Sequence, residues 1–86
     1  MRRYRVLLVD DEPEIREGIS MEIKWAELGF SLVGEAENGV EALELAEKMM
    51  PDVVLTDIKM PFMDGLTLCR KLKQSLPAAK LGIFGI

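Results

Sequence analysis

Three aspartates have the clearest chemical capacity in this chain. Asp10 and Asp11 follow the apolar run Val6-Leu7-Leu8-Val9, and Asp57 follows Val53-Val54-Leu55 with only Thr56 between. If these runs are neighbouring strands of a parallel sheet, the three carboxylates converge at one end of it. Like charges a few ångströms apart are costly unless protons or a cation neutralise them. An all-oxygen set, in a chain with no histidine, suits a hard divalent ion, with Mg2+ the first choice. An aspartate carboxylate is also a nucleophile toward a phosphoryl group, giving an aspartyl phosphate. A cation beside it would screen the incoming phosphoryl oxygens. Each feature alone has a plainer reading: Asp10-Asp11-Glu12 as acidic residues opening a helix, and Asp57 as a strand-end turn. The chemical reading rests on their combination.

The elements that must position these residues follow from periodicity. Val6 to Val9 reads as a strand covered on both faces. Pro13 suits the first turn of a helix, and Ile15, Ile19 and Ile23 give it one apolar stripe, with Trp25 to Gly29 closing it. Phe30 to Ala36 mixes polar and apolar residues, as a strand near a sheet edge does. Asn38 and Glu41 have capping-box spacing, opening a second helix with a stripe of Val40, Leu43, Ala46 and Met50. Val53 to Leu55 is the third strand. Asp64-Gly65 opens a third helix, whose stripe is Leu66, Cys69, Leu72 and Leu76. After Pro77, Lys80 to Ile86 reads as a fourth strand. The order β-α-β-α-β-α-β predicts an α/β doubly wound parallel sheet with right-handed crossovers. Ligands bind such sheets outside the carboxyl ends of the strands, where the three aspartates stand.

Composition narrows the function classes. At 86 residues the chain has room for a single domain, 1–86, and its 49% hydrophobic content argues against a disordered tail. A net charge of −4 argues against direct nucleic-acid contact. The cluster Arg2, Arg3, Arg5 reads as a solvated end. No apolar run reaches the ~20 residues that cross a bilayer, and a lone Cys69 forms no internal disulfide, so a cytoplasmic location is expected. Cys69 and the six methionines read as packing residues, and Trp25 as a packed helix end.

Val-Asp-Asp-Glu-Pro at 9–13, Asp57-Ile58-Lys59-Met60-Pro61, Met63-Asp64-Gly65 and Glu35 to Leu43 together resemble the signature of bacterial response-regulator receiver domains. The segment Trp25 to Phe30 is similar to receivers joined to AraC-type DNA-binding domains. The resemblance implies a flavodoxin-like fold with strand order 2-1-3-4. It also implies a two-component signalling module rather than an enzyme, with a sensor histidine kinase as phosphoryl donor. Carried over by position, Asp57 is the phosphoacceptor, Asp11 a direct Mg2+ ligand, Asp10 a ligand chiefly through water, and Lys59 a ligand through its backbone carbonyl.

The resemblance also exposes departures. Gly85 stands where the family has a Ser or Thr that contacts the phosphoryl group, and the family's fifth-strand Lys has no counterpart in the chain. On that comparison the receiver is incomplete, lacking its fifth strand and last two helices, and phosphorylation should be slow. The alternative reading is a truncated or engineered fragment that does not signal and self-associates. It would pair as a homo-oligomer through the exposed edge of the fourth strand. An aspartate-nucleophile phosphohydrolase is a weaker reading, because Asp10-Asp11-Glu12-Pro13 lacks the two-residue spacing such enzymes use.

Overall fold

A computed structural model describes residues 2–84. Seven elements alternate: β1 (Tyr4–Val9), α1 (Pro13–Glu22), β2 (Phe30–Ala36), α2 (Gly39–Met49), β3 (Val53–Asp57), α3 (Gly65–Ser75) and β4 (Lys80–Phe84). The strands form one sheet in the order β2-β1-β3-β4, and every pairing is parallel. The doubly wound, flavodoxin-like fold with order 2-1-3-4 is therefore present. Because β1 is central and β3 lies beside it, the ends of the two aspartate-bearing strands are adjacent.

The apolar runs become the sheet's interior because both faces are covered. Val6, Leu7, Leu8 and Val9 are all fully or almost fully buried. Leu7, Val9 and Val54 face the main core, with Ala36 of β2, Ala42 and Ala46 of α2, Leu68 and Leu72 of α3, and Leu76 beyond it. The opposite face is thinner. There Val6, Val53 and Leu55 line an apolar hollow of about 260 Å³ with Ile23, Trp25, Leu28 and Phe30, and no α1 residue is fully buried.

Several sequence expectations are corrected. The first helix stops at Glu22, and Trp25 to Gly29 forms separate turns, tied by the Phe30 N–H donating to the Trp25 carbonyl at 2.8 Å. The buried face of α2 is Gly39, Ala42 and Ala46, while Val40 and Met50 are exposed. That of α3 is Gly65, Leu68 and Leu72, while Leu66 is exposed and Cys69 half-buried. Burial pushes the Cys69 thiol up. Met60 and Met63 do pack on the core, but Met21 and Met50 face solvent. The arginine cluster is partly structural: Arg2 pairs with Asp52 at 3.2 Å, and Arg5 donates to the Met49 and Met50 carbonyls that end α2. Trp25 is packed as expected, its indole N–H donating to the Ser20 carbonyl at 3.0 Å. Gly85 and Ile86 lie outside the described residues.

Candidate functional site

The β1–α1 turn places two of the three carboxylates. Asp10 continues the ladder, its N–H donating to the Ala36 carbonyl at 3.0 Å, and its Oδ1 accepts the Glu12 N–H at 2.9 Å. Its side chain is thereby held at the mouth of the sheet. Pro13 starts α1 immediately after, so Asp11 is carried at the same end. The third carboxylate stands at the end of β3, where Asp57 Oδ1 accepts the Ile58 N–H at 2.7 Å. Ligand oxygens of Asp10, Asp11 and Asp57 all lie within 4.8 Å of one another.

A close backbone approach fixes the position of Asp57. The Gly65 N–H donates to the Ile58 carbonyl at 2.7 Å, and a Cβ at Gly65 would be driven into the Asp57 carbonyl oxygen. Glycine is therefore required for α3 to begin against the end of β3. Asp64 caps that helix, its Oδ1 accepting the Thr67 N–H at 2.8 Å. Buried Thr56 adds a hydroxyl donating to the Asp57 carbonyl at 3.0 Å.

The aspartates open into a hollow of about 560 Å³, also lined by Glu12, Ile15, Lys59 and Phe84. Asp11 and Asp57 are half-buried and Lys59 is exposed, whereas Asp10 is buried. Burial raises the Asp10 carboxyl above its usual range. The Glu12 N–H opposes this, the charges of Asp57 and Asp11 add to it, and Arg16 opposes it weakly. Among the described residues no Lys or Arg forms an ion pair with any of the three aspartates. Converging carboxylates without a protein cation form a donor set that a hard divalent ion fits.

Sequence reasoning anticipated the three aspartates and Lys59 at this end of the sheet, and the structure brings them together. It missed Arg16, whose guanidinium reaches the Asp10 carbonyl at 2.6 Å and Glu35 of β2 at 3.4 Å. It also missed Phe84, which reaches the site only because β4 pairs with β3 so that Phe84 stands opposite Asp57. No local pattern announces either contact. Gly65 does carry a signal, the Asp-Gly pair, which marks a helix start and belongs to the receiver-like signature without announcing this close approach to Asp57.

A doubly wound parallel sheet with an acidic cluster at the carboxyl ends of its two central strands defines a class of phosphate- or metal-handling α/β domains. Comparison with known proteins narrows the class. The model of the response regulator receiver domain matches residues 6–84. The chain is 46% identical over 77 residues to the uncharacterized transcriptional regulatory protein YesN of Bacillus subtilis, covering 90% of this chain and 21% of that protein. The REC domain of AraT, a response regulator from Geobacillus stearothermophilus, superposes with a TM-score of 0.87 at 46% identity, covering 93% of this chain and 62% of that one. A two-component transcriptional regulator AraC from Clostridium phytofermentans gives a TM-score of 0.87 at 36% identity, again covering 93% and 62%. This chain belongs to the response regulator receiver domain family, and it is similar to receivers of AraC-type regulators. It spans about a fifth of YesN and less than two thirds of the two solved chains.

Proposed function

We propose that the chain is a phosphoacceptor module of a two-component system, in which Asp57 takes a phosphoryl group from a sensor histidine kinase. The observation that carries this reading is the convergence of Asp10, Asp11 and Asp57 within 4.8 Å at the ends of β1 and β3. Asp57 Oδ1 accepts the Ile58 N–H, which orients the carboxylate whose oxygen would attack. An oxygen–phosphorus bond forms there while the nitrogen–phosphorus bond of a phosphohistidine breaks, and its electron pair leaves with the imidazole. Asp11 and Asp57 would hold Mg2+ directly, Asp10 chiefly through water, and Lys59 through its backbone carbonyl. When bound, the ion supplies the counter-charge that the carboxylates and the phosphoryl oxygens both need. Ile15 and Phe84 line the same hollow.

No helix among the described residues is long and apolar enough to cross a membrane. We place the module in the cytoplasm and, given its net charge of −4, without direct nucleic-acid contact. Among the described residues β4 pairs with β3 alone, and a second copy is the proposed occupant of its outer edge.

Incubation with a small phosphoramidate and Mg2+ tests the reading. A slow gain of one phosphoryl group, hydroxylamine-labile, dependent on Mg2+ and absent from D57N, is expected. Label on another residue, or none after long incubation, overturns it. Light scattering on the same sample decides the second copy: a monomer mass removes that part.

A further inference from the structure

We infer that Arg16 is a positioning residue for the acidic site, spending its charge on geometry rather than on neutralising the aspartates. The inference rests on the metal-binding reading above and adds a residue to it. The Arg16 side chain is 20% exposed and spans two elements. Its Nη1 donates to the Asp10 backbone carbonyl at 2.6 Å, at the point where β1 hands over to α1. Its Nε faces Glu35 Oε1 on β2 at 3.4 Å. Asp10 is therefore held from three sides: its N–H by the Ala36 carbonyl, its side chain by the Glu12 N–H, and its carbonyl by Arg16.

That arrangement separates two effects of opposite sign. A cation close to a cation site weakens metal binding by Coulomb repulsion. A tether that fixes a carboxylate in its binding orientation strengthens it, as partners outside the ligand shell commonly do. Arg16 forms no ion pair with Asp10, Asp11 or Asp57 among the described residues, and its donors go to a backbone carbonyl and to Glu35 instead; for Arg16 to act as a positioning residue, this tether must outweigh its field. A planar guanidinium reaches both acceptors in fixed directions, which a lysine ammonium on a flexible stem cannot reproduce. Charge alone is therefore insufficient at this position.

Mn2+ serves as the probe, its affinity for the 86-residue chain read by electron paramagnetic resonance. R16M and R16K should each weaken binding about tenfold. In metal-free protein the Glu12 amide, which donates to Asp10, should exchange faster in both variants. Tighter binding by R16M with wild-type binding by R16K would show that only charge matters, and the inference fails. Lower melting temperatures with unchanged Mn2+ affinity would make Arg16 a strut between α1 and β2, and the inference fails again. No Mn2+ binding by the wild type would overturn the metal site itself, and this inference with it.

Discussion

Asp10 is buried where a charge is expensive, and among the described residues no cation forms an ion pair with its carboxylate. Its carboxyl titrates above the ordinary 3.8, chiefly because burial disfavours the anion. Between 3.8 and that raised value the folded chain keeps a proton that the unfolded chain has released. The folded state then binds more protons, so stability falls as pH rises through the window. D10N escapes that loss while its amide oxygen still accepts the Glu12 N–H. In metal-free buffer at pH 7 it should therefore be more stable than the wild type, with a higher Tm. The advantage should shrink toward pH 3.8, and added Mg2+ should stabilise the wild type more than the variant. Urea melts at the two pH values check this; a D10N protein no more stable than wild type at pH 7 would count against it. The three aspartates were legible because strand ends and carboxylates are both visible in sequence. Arg16 was not, because its partners Asp10 and Glu35 meet only once β1 and β2 are paired.

At the level of elements, strand positions and helix starts were legible, and helix faces only in part: Ala46, Leu72 and Leu76 are buried as expected, whereas Val40, Met50 and Leu66 are exposed. Continuous apolar runs fix the strands, and Asn38 and Asp64 mark the two helix starts, each accepting the N–H three residues on. In their first turns the buried stripes of α2 and α3 depart from the expected rows by the same cause. Gly39 and Gly65 stand at the first positions of their helices, and each lacks room for a Cβ: one would strike Met63 and the other the Asp57 carbonyl. The glycines let both helices press against the loop after β3, and that contact, rather than apolar periodicity, selects the inward face. The Asp64 cap gives a prediction of the opposite pH sign to Asp10. Hydrogen bonds from Thr67, backbone first, hold the Asp64 carboxyl below 3.8. Its contribution is therefore fully present above 3.8 and is lost as pH falls through the lowered value. D64A should lower the urea midpoint at pH 7, with the gap to wild type narrowing in acid. D64N, which keeps an acceptor for the Thr67 N–H, should recover most of the difference. Equal midpoints for D64A and wild type at pH 7 would remove the cap from the account of α3.

Across the whole molecule the sheet is loaded unequally on its two faces, and stability should follow. On one face Leu7, Val9 and Val54 meet Ala42, Ala46, Leu68 and Leu72, all fully buried. On the other, α1 contributes no fully buried residue, and Ile19 and Ile23 are only half-covered. A large-to-small change costs the transfer of the lost atoms plus the cavity left behind. Both terms are large for a side chain in a closed core and small for one beside an open hollow. L72A should therefore cost about 2–5 kcal/mol, a large share of the roughly 4–13 kcal/mol that a domain of this length commonly holds. I19A should cost about 1 kcal/mol, because part of its surface is already in water and solvent can fill the space it leaves. The same asymmetry predicts a gradient in amide exchange. The ladders of β1 and β3 should open only by global unfolding, while the amides of α1 should exchange through local opening at lower free energy. Urea melts of the two variants and native-state hydrogen exchange of the wild type measure both sides of the argument. If I19A were as costly as L72A, or if α1 amides were as protected as those of β1, the α1 face would have to be closed in solution by something that packs over Val53, Leu55 and Trp25.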